Sequence, residues 1–210
     1  MSHAAQLWLF FGLVFAVVVL PGLDMAFVLS SALTGGRRYG FIAVAGIVAG
    51  AVVHVTVGAL GIATLLLVWP AAFNALLLGG AAYVGWIGIG LLRSQGGATA
   101  KAQAEASAFT TFRRAALPNL LNPKAYLFML AVFPPFLAES HGPKWMQTVW
   151  LGLIIAATQI AVYGGIAWMA DAAGSRLDAQ PASRKKLDRG VGGVLVAAAL
   201  ITAWEGLRMG

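Results

Sequence analysis

At 210 residues the chain has the length of one ordinary domain, yet 60% of its residues are apolar and only 10% are charged. A soluble domain carries about 25% charge, so this composition and a mean hydropathy of +0.84 exclude a water-exposed globule and describe an integral membrane protein. The absence of cysteine removes disulfides, thiolate metal sites, iron–sulfur clusters and thiol redox chemistry. Fourteen Lys and Arg against seven Asp and Glu leave a net charge of +7, whose distribution decides its meaning.

A spanning helix needs about 20 mostly apolar residues, and the first such stretch is 7–33. The residues before it, MSHAAQ, include no Lys or Arg, and no A-x-A site follows, so a retained span is expected rather than a cleaved signal peptide. Pro21-Gly22-Leu23-Asp24 interrupts the run. Proline removes a backbone donor and clashes with the preceding turn, and glycine relaxes the chain, so the helix is predicted to break there. Asp24 then begins the resumed helix. One reading is that its carboxylate caps the freed N–H groups. A carboxylate at this depth costs about 2.5–3.5 kcal/mol on insertion scales, and Ser or Asn would cap as well. The other reading is therefore a functional group whose partner is a solute ammonium or a transported proton.

The second span, 41–68, carries Gly46, Gly50, His54 and Gly58 at i, i+4 spacing. Small residues so spaced let helices approach closely in lipid, and they place His54 against protein, either bonded to a neighbour or serving as a proton relay. The third span, 71–92, repeats the small-residue pattern with Gly79, Gly80, Gly85 and Gly88 beside Tyr83. Residues 94–108, rich in Ala, Gly and Gln, read as a flexible linker between a first half (1–93) and a second half (109–210) of three spans each.

The fourth span, 115–137, contains Asn119-Leu120-Leu121-Asn122-Pro123-Lys124-Ala125. Asn before Pro is a helix-start signature, with Asn122 capping and Pro123 in the first helical position. The run from Pro123 is too short to span alone, so 109–121 must enter the membrane or lie along it. Lys124 either snorkels to the headgroups or faces the cavity of Asp24 and holds that carboxylate charged. The N-terminus of this half-helix, near Asn119 and Asn122, would suit a substrate carboxylate. The fifth span, 146–169, places polar Gln159 and Tyr163 four residues apart, and the sixth is 190–204. None of these stretches alternates as a barrel strand must. The expected fold is an all-α integral membrane domain of six transmembrane helices, arranged as two inverted three-helix repeats with the first and fourth helices broken at proline.

Charge supports this layout. Lys144 and Arg208 fall on one side of the six spans. On the other lie Arg37, Arg38, Arg93, Lys101, Arg113, Arg114, Arg176, Arg184, Lys185, Lys186 and Arg189. The positive-inside rule puts the second set in the cytoplasm and both termini outside, and it leaves nucleic-acid binding without support. Trp8, Trp69, Trp145, Trp150 and Trp204 fall at the outer boundary, where amphipathic rings settle.

No hydrolase, kinase or metal motif is present, so neither enzyme chemistry nor a cofactor is expected. Pro21-Gly22-Leu23-Asp24, the turn Gly36-Arg37-Arg38-Tyr39-Gly40, the segment LLLGGAAYVGWIGIGLLRS and Asn119 to Ala125 resemble the amino-acid exporters of the lysine and threonine/homoserine type (LysE/RhtB). Leu23 stands where that family usually has a second proline. The resemblance implies export of amino acids or related small solutes driven by the proton gradient or membrane potential, six spans as inverted repeats, and a homodimer. The expected location is the bacterial cytoplasmic membrane. A single deep acid favours neutral amino acids over dications. Export of cations or toxic metal ions, and a passive channel, are the alternatives. The residues expected to bind substrate or couple transport are Asp24, Pro21, Gly22, Asn119, Asn122, Pro123, Lys124, His54, Gln159 and Tyr163.

Overall fold

A computed structural model describes residues 2–20, 22–60, 70–93, 107–137, 141–177 and 181–208, and no strand occurs among them. The first expected span is two helices, α1 (His3–Val19) and α2 (Leu23–Gly35), bent by 59° at the break. Pro21 lies outside the described residues. Ser2 caps α1, its hydroxyl accepting the Ala5 N–H at 3.3 Å.

Between α2 and α3 (Arg37–Ala59) stands a single residue, Gly36. Its φ of +80° is a conformation that L side chains avoid, which is why the reversal uses glycine. Asp171, far along the chain, accepts the Arg37 N–H at 2.9 Å and so caps α3 from another helix. Gly40 closes the same corner, since a Cβ there would stand 2.8 Å from the Cβ atoms of both Ala32 and Ala167.

The next helices are α4 (Pro70–Arg93), α5 (Ala108–Leu120) and α6 (Pro123–Ala131), followed by a 3₁₀ turn at Pro134–Phe136. The break expected in the fourth span is thus present, between α5 and α6. Ser107 caps α5 through the Thr110 N–H at 3.2 Å. The expected linker falls almost wholly on 94–106, outside the described residues. The last helices, α7 (Lys144–Leu177) and α8 (Pro181–Arg208), run to 34 and 28 residues and exceed the apolar stretches 146–169 and 190–204. Most of what read as a basic connection is helical, because Ala, Arg and Lys keep a helix going after it leaves an apolar medium.

By length and composition, α3 and the portion Lys144–Asp171 of α7 can each cross a membrane, and bent α1–α2 makes a third candidate if the pair is one span. The apolar stretches Leu78–Gly90 and Gly192–Trp204 of α4 and α8 are shorter. One core joins Phe10, Val14 and Val18 of α1, Val28 of α2, Ile47 of α3, Phe128 and Met129 of α6 and Ile155 of α7. A second, smaller cluster, Leu23, Ala26, Val84, Leu195 and Ala199, fastens the α4–α8 pair to α2. Trp8, Trp86, Trp145, Trp150, Trp168 and Trp204 are all exposed, as rings facing lipid would be. The N-terminus of α1 and the segment before α7 lie together, with the Gln6 side-chain amide donating to the Phe136 carbonyl at 3.3 Å and the rings of His3 and His141 4.9 Å apart. The Arg37–Asp171 corner marks the opposite end.

A candidate functional site at the two helix breaks

Each helix break frees backbone groups that must find partners away from water. Proline has no N–H, so the carbonyl four residues earlier loses its helical donor. For Pro21 that carbonyl belongs to Val17, and for Pro123 to Asn119, whose carbonyl accepts the Asn122 N–H at 3.0 Å instead. The Lys124 ammonium donates to the Val17 carbonyl and also to that of Leu20, the latter at 3.3 Å. His54 Nε2 lies 2.9 Å from the Asn119 carbonyl. A carbonyl only accepts, so this nitrogen carries the proton. Each break thus meets a side chain of the other half: the Val17 and Leu20 carbonyls meet a lysine of the second, and the Asn119 carbonyl, which also holds the Asn122 N–H, meets a histidine of the first.

The carboxylate sits between these links. Asp24, buried in the first turn of α2, accepts at Oδ2 from the side-chain amides of Asn119 at 3.0 Å and Asn122 at 3.3 Å. The side-chain oxygen of Asn122 accepts the Lys124 N–H at 3.0 Å, so this residue caps α6 and binds the carboxylate at once. Pro123 is the first residue of α6, as its φ preference requires. Asn119 is held in place by the glycine stripe of α3. A Cβ at Gly46 would collide with the Phe112 carbonyl and stand 3.0 Å from the Ala115 Cβ. One at Gly50 would collide with Asn119 itself, and one at Gly58 would stand 3.2 Å from the Met129 sulfur. The stripe is thus the packing surface that brings α5 and α6 against α3.

Asp24, His54, Asn119, Asn122, Lys124, Gln159 and Tyr163 all line one cavity of about 50 Å³. At about 10–15 Å³ per water, that is room for a few small groups. Three of its buried oxygens, Asp24 Oδ1, Asn119 Oδ1 and Gln159 Oε1, receive no hydrogen bond from the described residues.

Of the residues expected from sequence, Gly22 stands outside the lining. It precedes α2 at the break, and a Cβ there would lie 3.8 Å from the Lys124 amine. Two expectations change, those of the Asp24 cap and of the α6 N-terminus. Asp24 does not cap α2, because two asparagine amides already hold its carboxylate. Lys124 lines the same cavity as Asp24, with its ammonium on the Val17 and Leu20 carbonyls of the first break. The first N–H groups of α6 are not open to a substrate carboxylate. Asn122 takes that of Lys124 with its side chain and those of Ala125 and Tyr126 with its carbonyl. The sequence reading missed Tyr126, whose ring meets His54 edge-on at 4.5 Å, and the apolar wall of Val14, Val17, Val18, Phe128 and Ile155. The i, i+4 pair Val14–Val18 was the available signal. It also missed Asp171, for which no local signal exists.

Discontinuous helices that meet around a buried carboxylate inside an apolar bundle are the construction of membrane transporters. The chain belongs to the family of LysE type translocators, whose pattern it matches over residues 15–206. It is 34% identical to an uncharacterized membrane protein of Pseudomonas aeruginosa over 69% of each chain. It is 30% identical to the homoserine/homoserine lactone efflux protein of Salmonella typhimurium, over 87% of this chain and 89% of that one. With the leucine efflux protein of Klebsiella pneumoniae it shares 32% identity over 58% of each. No solved structure matches it.

Proposed function

We propose that the protein is a secondary active exporter of amino acids or their derivatives, neutral ones in particular, coupled to the proton gradient of a bacterial cytoplasmic membrane. The observation that carries this reading is the set of three buried oxygens, on Asp24, Asn119 and Gln159, without a donor among the described residues. A buried acceptor left unpaired costs about 1–3 kcal/mol, and a primary ammonium brings three N–H donors to such a set. The substrate's α-amino group binds there. Its carboxylate meets Lys124, which spends two of its three donors on Val17 and Leu20 and keeps one. Among the described residues the cavity lining has one carboxylate, which leaves a second positive charge on the substrate without a partner there. Protonation of Asp24 releases the ammonium and resets the carrier.

Six spans in two inverted halves, with both termini outside, complete the proposal. The helix contacts support it: α3 packs on α5 as α7 packs on α1 and α2, while α3 pairs with α7 and α4 with α8. These are the pairings that a two-fold exchange of halves generates. The experiment is counterflow and pH-jump efflux from proteoliposomes with Asp24→Asn. Efflux is expected to fall by about tenfold or more, consistent with loss of a charge-assisted contact, and to lose its pH dependence. Undiminished pH-dependent efflux would remove Asp24 from the mechanism.

A further inference from the structure

A second cavity lies apart from the first, and the transport reading makes no use of it. It is a cleft of about 400 Å³ between α4 and α5, lined by Tyr83, Thr110, Arg113, Arg114, Ala116, Leu117 and Leu120. One face of α5 (Thr111, Ala115, Pro118 and Asn119) is buried in the protein. Phe109, Arg113, Arg114 and Leu117 are exposed on the other. The cleft thus combines two arginines and two hydroxyls with an apolar wall that continues onto the outer surface through Leu117. No carboxylate of the described residues lines it. The Arg113 guanidinium stands over the Phe109 ring at 5.7 Å, which holds it in place without neutralising it.

We propose that this cleft holds the phosphate headgroup of an anionic phospholipid. The guanidiniums bind the phosphate oxygens in forked geometry, Thr110 and Tyr83 add hydroxyl donors, and an acyl chain lies along Leu117 and Leu120. A free phosphate would match the arginines and leave the apolar wall unused. Basic pockets between transmembrane helices are where such headgroups bind.

The test is native mass spectrometry of the full chain released from micelles containing either phosphatidylglycerol or phosphatidylcholine. The expected result is one phosphatidylglycerol retained in preference to phosphatidylcholine. In Arg113→Gln/Arg114→Gln its affinity should fall by about thirtyfold, from about 1 kcal/mol per basic residue near the membrane surface. Lys185→Gln/Lys186→Gln removes equal charge from α8 and should retain the lipid. Equal loss in both double variants, equal retention of the two lipids, or displacement by millimolar inorganic phosphate would each overturn the proposal. If Arg113→Gln/Arg114→Gln is not monodisperse, Thr110→Ala/Tyr83→Phe decides. A loss of about fivefold is expected from two neutral hydrogen bonds, and unchanged retention refutes the site.

Discussion

Gly50→Ala is the sharpest probe of how the fold builds the site, because the substitution adds one carbon at a place where Asn119 leaves no room. The new Cβ would stand 3.1 Å from Asn119 Cγ and 3.2 Å from its Cβ, and closer still to Oδ1. Asn119 must turn, and the hydrogen bond it donates to Asp24 at 3.0 Å goes with it. Overpacking costs about 1–3 kcal/mol, and a hydrogen bond to a charged group is worth about 1.5–3 kcal/mol. The expected destabilisation is therefore about 2.5–6 kcal/mol. Gly12→Ala is the control, since nothing lies within 4 Å of its added carbon. Unfolding by SDS in mixed micelles, followed through the seven tryptophans, measures the change. In an Asn119→Ala background the hydrogen bond is already gone, so Gly50→Ala should cost less there, by a coupling of about 1.5–3 kcal/mol. A Gly50→Ala penalty below about 1 kcal/mol that simply adds to that of Asn119→Ala would refute the claim that the glycine positions Asn119.

Lys124→Met keeps the length of the side chain and removes the donors that Val17 and Leu20 use, so unfolding in SDS should come earlier and efflux should fall together with stability; an unchanged midpoint would show that α1 does not need the amine. His54→Leu removes the side-chain donor to the Asn119 carbonyl and is expected to cost about 1 kcal/mol in the same unfolding assay; an unchanged midpoint would show that the imidazole does not hold the second break. Asp171→Ala removes the cap on α3 and is expected to cost about 1 kcal/mol in SDS unfolding, without changing substrate affinity in counterflow; a shifted affinity would place Asp171 in the transport path.

The two breaks were legible because proline and its neighbours act locally: Asn122 and Pro123 form the cap their order announces, and α1 ends at Val19 and α2 resumes at Leu23, on either side of the expected break. The glycine stripe on α3 was equally readable, since i, i+4 spacing fixes a face without knowledge of the partner. Partners were the illegible part. That Asp24 belongs to Asn119 and Asn122, Lys124 to α1, and Asp171 to Arg37 depends on helices almost 100 or more residues apart, and hydropathy carries no information about such pairing. The apolar stretches of α7 and α8 agree with the spans 146–169 and 190–204 to within two residues, but how far the helices run beyond them was illegible: apolarity marks where a membrane stops, and a helix rich in Ala and Arg does not stop with it.

The way α4 and α8 are mounted brings them to the residues around Asp24. Gly88 lets this pair lock tightly, its absent Cβ leaving space that Val196 and the Gly192 carbonyl border at 2.9 and 3.0 Å. Outside the pair, the buried apolar fastening to α2 is Leu23 and Ala26, and Gly80 rides against the Leu121 carbonyl at the α5–α6 break like a pivot. Leu23 is the residue directly before the carboxylate and Leu121 lies between the two asparagines that bind it. The α4–α8 pair therefore rests on the chain at both sides of the same hydrogen bonds, so the bundle's outer pair of helices touches both elements that hold its buried charge.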